Sequence, residues 1–140
     1  MRSAIASSSI VSDASLVVDA LVGKGARAEW AAAQLASARH ISAPHLLDLE
    51  VLAALRKLVS VRELPSSSAH RAVRDLIELP IRRYPSTRLL ERMWELRGRL
   101  TAYDAAYVAL AEGLAVPFVT MDRRLARAGG HSAEIVAFAE

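Results

Sequence analysis

The sequence has 140 residues, of which 53% are hydrophobic and 24% charged, and its formal net charge is +3. This length and apolar content predict one folded domain with a sizeable core and exclude an intrinsically disordered chain. The sequence contains no cysteine, which excludes disulfides, thiolate zinc sites and cysteine nucleophiles, so a bound metal must be held by oxygen or imidazole.

The first predicted elements are a strand, a turn and two helices. Residues 10–12 form a short apolar strand, residues 13–15 a turn, and residues 16–22 an amphipathic helix that ends at Gly23. A second amphipathic run over residues 28–38 predicts another helix. Residues 40–43 then predict a second strand, which Pro44 closes.

The middle of the chain contains the clearest helical pattern, with apolar residues near helical spacing over residues 46–59. The three serines at 66–68 are typical of a linker and helix cap, and a helix is predicted over residues 69–79, until Pro80 breaks it. A strand over residues 81–84 and a helix over residues 87–99 follow.

The last third begins with LTAYDAAYVALAE, residues 100–112, which is apolar nearly all round and predicts a buried helix. A strand over residues 116–120, a short helix over residues 122–128 and a final strand over residues 134–138 complete the chain. Because strands alternate with helices, we predict a three-layer α/β/α fold with a mainly parallel central sheet of about five short strands. The ligand site of such a fold lies beyond the carboxyl ends of its strands.

Four acidic residues fall at or near that predicted edge. Asp13 follows the first strand, Asp122 follows the strand at 116–120, and Asp104 opens the helix that leads into it. Glu50 lies on the helix at 46–59 among apolar neighbours. Asp48, two positions earlier, lies about 200° away round that helix, so only one of the two can face the site, and the apolar neighbours favour Glu50.

Each acid taken alone has a simpler structural explanation. Thr101 and Asp104 have the spacing of a capping box, Asp13 and Asp122 are typical of turns or helix caps, and Glu50 is typical of a half-exposed helix. Taken together, however, carboxylates that share a pocket repel one another unless cations neutralise them. Oxygen ligands favour Mg²⁺ or Mn²⁺, and carboxylate-held Mg²⁺ is typical of phosphoryl transfer, for which a phosphodiester backbone is a suitable substrate.

Four segments, IVSDAS, APHLLDLEVLAAL, LTAYDAAYVALAE and FVTMDRRL, resemble in order and approximate spacing the PIN-domain ribonucleases, specifically the VapC-type toxins of bacterial toxin-antitoxin pairs. The resemblance covers about residues 9–138. It implies that four acids form a catalytic quartet and that two hydroxyls support it: Asp13, Glu50, Asp104 and Asp122, with Thr101 and Thr120. In our interpretation Asp13 and Asp104 hold the principal Mg²⁺ or Mn²⁺, and Asp122 completes its coordination or binds a second ion. Glu50 positions or deprotonates the attacking water.

The resemblance also implies an activity and partners. The expected function is a metal-dependent endoribonuclease of the bacterial cytoplasm that leaves a 5′-phosphate and a 3′-hydroxyl. Expected partners are RNA, a second copy of the chain, and a cognate VapB-type antitoxin that points an arginine at the acids. Members of the family often begin their first strand directly after the start methionine, so we expect residues 1–8 to be a disordered N-terminal extension and residues 9–140 to form the nuclease domain.

Other residues have weaker assignments. Arg56 with its neighbour Lys57, and the pair Arg123 and Arg124, are candidate phosphate contacts, although runs of basic residues are usually solvated surface. The aromatic residues are interpreted as core or dimer-interface side chains, namely Trp30, Trp94, Tyr103 and Tyr107. The four histidines are scattered and show no zinc or triad spacing.

Two alternative functions remain open. A non-catalytic PIN-like module that binds RNA or protein without cutting it has the same sequence features. A receiver-type signalling domain also has an acidic Mg²⁺ pocket at parallel strand ends, but it normally has paired acids after the first strand and a late lysine. Here Ala14 and Ser15 follow Asp13, and the only lysines are Lys24 and Lys57, which disfavours that domain.

Overall fold

The computed structural model describes residues 9–139, so the extension predicted over residues 1–8 lies outside the described residues. Helices alternate with five short strands along this part of the chain. The strands are β1 (Ile10–Ser12), β2 (Ile41–Pro44), β3 (Ile81–Tyr84), β4 (Phe118–Thr120) and β5 (Ile135–Ala137). The helices are α1 (Ala14–Val22), α2 (Gly25–Ser37), α3 (Leu46–Ser60), α4 (Ser66–Glu78), α5 (Leu90–Glu95) and α6 (Ala102–Leu114).

All five strands pair in parallel, in the order β3-β2-β1-β4-β5. The central strand β1 pairs with both neighbours, and Val11 lies opposite Ser42 of β2 and Phe118 of β4. The helices flank this sheet, which confirms the predicted α/β/α architecture. Because the strand order changes direction at β1, the carboxyl ends of β1 and β4 adjoin the position where ligands bind in such sheets.

Several predicted helices have different bounds in the structure, and three of these differences have a local cause. Helix α4 begins at Ser66, directly after Pro65, so the serines form its first turn and do not precede it. The helix predicted over residues 87–99 is regular only over Leu90–Glu95, because Arg97 and Arg99 bond to carbonyls three residues back and the end of the helix tightens.

The third difference concerns the segment after strand β4. The helix predicted over residues 122–128 is only a 3₁₀ turn at Leu125–Arg127. The Asp122 carboxylate accepts the backbone N–H of Arg124 at 2.9 Å, and this local bond competes with a regular helix.

Helix α6 is the most deeply buried helix of the fold. Seven consecutive residues, from Ala105 to Ala111, are buried, as the apolar pattern predicts. Among residues 9–139, none of the helices is long and apolar enough to cross a membrane.

Candidate functional site

A cleft of about 580 Å³ lies at the edge of the sheet where β1 and β4 end, and all four predicted acids line it. The acids come from four elements. Asp13 follows β1, Glu50 lies on α3, Asp104 lies in the first turn of α6, and Asp122 follows β4. Ser15, Lys57 and Tyr107 also line the cleft, and part of its wall is apolar, formed by Val18, Ala54, Leu58 and Val61.

Asp13 caps helix α1 and faces the cleft at the same time. Its Oδ1 accepts the backbone N–H of Leu16 at 3.2 Å and the hydroxyl of Ser15 at 2.7 Å. Its Oδ2 accepts the hydroxyl of Thr120. The cap that the sequence offered as a simpler explanation for Asp13 is therefore present, and it does not remove the carboxylate from the cleft.

Two hydroxyls connect Asp13 to the segment after β4. The Thr120 oxygen accepts the backbone N–H of Asp122 at 3.0 Å, and the Ser15 oxygen accepts that of Met121, also at 3.0 Å. Thr120 therefore contacts the first and the fourth acid. Ser15 has the equivalent position on the other oxygen of Asp13, a role that the sequence analysis did not assign to it.

The Asp13 carboxylate is strongly perturbed by its surroundings. It is 8% exposed, and burial raises its pKa from 3.8 to about 6, with a contribution from the charge of Glu50. Hydrogen bonds from Thr120, Ser15 and Leu16 oppose this rise. A buried carboxylate beside a second carboxylate has a strong tendency to bind a proton or a cation.

Glu50 is held by a tyrosine that the sequence analysis assigned to the core or an interface. The Tyr107 hydroxyl donates to Glu50 Oε1 at 2.6 Å. The ring of Tyr107 is buried and stacks on Phe118, with ring centroids 5.7 Å apart, so the core assignment is confirmed for its ring. Burial and the bond to Glu50 raise the pKa of Tyr107, so the phenol remains a donor.

The other acid of helix α3 points elsewhere. Asp48 forms a bidentate ion pair with Arg83, in which Nε lies 2.8 Å from Oδ2 and Nη2 lies 3.0 Å from Oδ1. Glu50 therefore faces the cleft and Asp48 does not line it. Two of the other aromatic side chains, Trp94 and Tyr103, are exposed and so do not belong to the core.

Asp104 lies in the first turn of α6, where Thr101 is the N-cap. The Thr101 hydroxyl oxygen accepts the backbone N–H of Asp104 at 3.1 Å. Burial raises the pKa of the Asp104 carboxyl, and the negative charge of Asp122 raises it further, while Thr101 and Arg124 oppose the rise. Asp104 and Asp122 therefore interact electrostatically across the cleft.

The Asp122 carboxylate forms an ion pair with a basic neighbour, Arg124. Arg124 Nε lies 3.0 Å from Oδ1 and Nη2 lies 2.8 Å from Oδ2, and this pair lowers the pKa of Asp122. The Arg124 side chain is 86% exposed, so little packing holds the guanidinium in place.

The cleft fits a divalent metal by donor type but is not fully assembled for one. Carboxylate oxygens are the ligands that Mg²⁺ and Mn²⁺ prefer. Within residues 9–139, however, no group of three or more His, Cys, Asp or Glu side chains is arranged to hold an ion. Since Arg124 binds both oxygens of Asp122, its guanidinium competes with a metal ion for this carboxylate.

The candidate phosphate contacts differ in position. Arg123 and Arg124 are exposed and directly follow Asp122. On helix α3, Lys57 lines the cleft, whereas Arg56 is exposed and does not line it. The structure therefore favours Lys57 over Arg56 as a group close to the acids.

The chain is similar to known proteins over most of its length. It matches the PIN domain family model over residues 10–131. It is 49% identical over 126 residues to Ribonuclease VapC1 of Mycobacterium tuberculosis (strain H37Rv), and the match covers 89% of this chain and 94% of that protein.

Two solved structures from Mycobacterium tuberculosis share the fold. VapC20, a Sarcin-Ricin loop cleaving toxin, superposes with a TM-score of 0.67 at 18% identity, covering 84% of this chain and 93% of that one. VapBC-5, a member of the VapBC family of toxin-antitoxin systems, gives a TM-score of 0.55 at 20% identity, covering 94% and 99%. At these identities the two structures show that the fold is shared.

Proposed function

This chain belongs to the PIN-domain family and, within it, to the VapC ribonucleases, and we propose that it is a divalent-metal-dependent endoribonuclease acting as the toxin of a VapBC-type pair. The observation that carries the proposal is the convergence of four carboxylates, from four separate elements, in one cleft at the carboxyl edge of the sheet. The family assignment excludes the receiver-type alternative. The non-catalytic alternative is distinguished by the experiment below.

In the proposed reaction, Asp13, Asp104 and Asp122 would hold Mg²⁺ or Mn²⁺. Such an ion, when bound, supplies positive charge that stabilises the attacking and leaving oxygens of a phosphodiester. Glu50 orients a water molecule and accepts its proton. The water oxygen attacks phosphorus, the bond from phosphorus to the 3′ oxygen breaks, and the 3′ oxygen takes a proton from solvent water, which leaves a 5′-phosphate and a 3′-hydroxyl.

Basic side chains near the acids support RNA as the substrate. Lys57 lines the cleft, and Arg123 and Arg124 are exposed next to Asp122. These cations can contact the phosphates that flank the cleaved bond, since phosphate contacts dominate affinity for nucleic acids.

Two observations support an antitoxin partner: the apolar wall of the cleft, and the structural similarity to VapBC-5, a member of a toxin-antitoxin family. Val18, Ala54 and Leu58 form an apolar wall beside the acids, which suits the apolar side of a partner segment. A partner's guanidinium can then bind the carboxylates in the bidentate way that Arg124 binds Asp122.

The test of the nuclease is cleavage of structured RNA by the purified protein with Mg²⁺ or Mn²⁺. We expect cleavage that stops in EDTA, is absent in Asp13→Asn, and weakens as salt increases because RNA binding is electrostatic. Persistent cleavage in chelator would contradict the metal mechanism. Folded wild-type protein that binds RNA but does not cut it with either ion would instead favour the non-catalytic module.

A further inference from the structure

We propose that Tyr107 is a positioning residue for the ribonuclease reaction, which holds one oxygen of Glu50 so that the other oxygen faces the attacking water. This inference rests on the proposed function and concerns a residue outside the acidic quartet. The contact that carries it is the Tyr107 hydroxyl donating to Glu50 Oε1 at 2.6 Å.

Tyr107 is itself rigidly placed. Its side chain is 1% exposed, and its ring lies nearly parallel to that of Phe118 on β4, at an interplanar angle of 9°. Strand β4 pairs with β1, which leads directly into Asp13. The tyrosine hydroxyl is therefore fixed relative to the strands that place Asp13 and Thr120.

Glu50 lacks comparable support on its own helix. It is half-buried on α3, and a glutamate side chain has several rotatable bonds whose freedom opposes any single placement. Within residues 9–139, the Tyr107 hydroxyl is the only side-chain group that donates a hydrogen bond to the Glu50 carboxylate. This bond therefore connects the Glu50 carboxylate to the part of the fold that holds Asp13.

The bond also divides the carboxylate into two chemically different oxygens. Oε1 accepts a hydrogen bond from the phenol O–H, and such a bond to a carboxylate is stronger than one between neutral groups. No donor among the described residues bonds to Oε2, so its lone pairs are free to accept a proton from water in the cleft. A general base must present such an oxygen within hydrogen-bond distance of the reacting water.

The test compares Tyr107→Phe with Tyr103→Phe. Both lie on α6, and Tyr103 is 61% exposed, so the second variant removes a hydroxyl without touching the cleft. Because a hydrogen bond to a charged group is lost, we expect Tyr107→Phe to lower kcat by about 10-fold or more with KM for RNA within about twofold. Tyr103→Phe should match the wild type in both constants.

Two further measurements distinguish positioning from a structural effect. In a Glu50→Gln background, Tyr107→Phe should cause no additional loss of residual cleavage. In metal-free protein, the side-chain carboxyl ¹³C resonance of Glu50, assigned by its absence in Glu50→Gln, should move in Tyr107→Phe and stay fixed in Tyr103→Phe.

Several outcomes would overturn this inference. Active wild-type protein with Tyr107→Phe as active as Tyr103→Phe would overturn it and leave the ribonuclease proposal intact. An equal kcat loss in the Glu50→Gln background, or an unmoved Glu50 resonance, would show that Tyr107 does not act through Glu50. Wild-type protein that does not cleave RNA would overturn the proposed function, and this inference with it.

Discussion

The hydroxyl oxygen of Thr101 accepts the backbone N–H of Asp104 at 3.1 Å, so the cap of helix α6 uses the peptide group of Asp104. The Asp104 carboxylate lines the cleft and interacts with Asp122. One residue thus serves the helix through its backbone and the cleft through its side chain, and mutations can separate these two contributions.

The first prediction concerns this pair. Asp104→Asn keeps the backbone donor of the cap, so we expect unchanged or higher stability with cleavage reduced by about 100-fold or more, the scale on which an essential catalytic group acts. Thr101→Ala removes the cap acceptor and should lower the free energy of unfolding by about 1 kcal/mol. Urea unfolding and RNA cleavage measure the two effects, and full activity in Asp104→Asn would show that Asp104 is only a helix-start residue.

The second prediction concerns the pH dependence of metal-free protein. The folded state raises the pKa of Asp13 from 3.8 to about 6, so protonated Asp13 favours folding. This contribution is fully present below pH 3.8 and is lost as the pH rises through about 6. The change in pKa corresponds to about 3 kcal/mol as an upper estimate.

We therefore expect Asp13→Asn to be more stable than the wild type at pH 7 without metal, by about 1 to 3 kcal/mol, and similar to it at pH 4. The matched control is Asp75→Asn, which replaces an exposed acid on α4. The stability of this variant relative to the wild type should be the same at pH 4 and at pH 7. Urea unfolding at both pH values measures the effect. Equal stability of Asp13→Asn and the wild type at both pH values would contradict the prediction that the ionised Asp13 carboxylate destabilises the metal-free fold.

The third prediction concerns Arg124. Because its guanidinium occupies both oxygens of Asp122, Arg124→Gln should strengthen Mn²⁺ binding by up to about fivefold, the scale of an exposed ion pair. Calorimetry without RNA measures this effect separately from any contact between Arg124 and phosphate. Arg123→Gln is the control, and identical Mn²⁺ affinities of the two variants would argue against Asp122 as a ligand that Arg124 blocks.

The fourth prediction concerns the proposed biological role. Expression of the chain alone in a bacterial host that lacks the antitoxin should arrest growth, and co-expression of the cognate partner should restore it. Asp13→Asn should be harmless at the same protein level, which controls for general effects of expression. Normal growth with verified, folded wild-type protein would contradict the toxin assignment without affecting the test for cleavage in vitro.

Sequence patterns predict the sheet and four of the six acids that line the cleft, but they do not place Asp19 and Glu63 there. Short apolar strands that alternate with helices imply parallel pairing, and parallel strands end at one edge, so the sequence alone predicts that Asp13 and Asp122 lie at the same edge. Glu50 could be separated from Asp48 because two positions on a helix face different directions.

The hydrogen-bond partners of those acids could not be read from the sequence. Ser15 contacts Met121 only because β1 and β4 are neighbours, and the sequence does not state which strands adjoin. Tyr107 looks like an ordinary core aromatic, and only the packing of α3 against the sheet shows what its hydroxyl meets. The ion pair between Asp122 and Arg124 depends in turn on a tight turn that the helical pattern did not reveal.

The strand order has a consequence for synthesis on the ribosome. Strand β1 forms the centre of the sheet and is translated well before its neighbour β4, which ends at Thr120. The proposed quartet therefore lacks two of its four acids until Asp104 and Asp122 have left the exit tunnel. Translation interrupted before Asp104 therefore yields fragments that contain at most Asp13 and Glu50 of the proposed quartet.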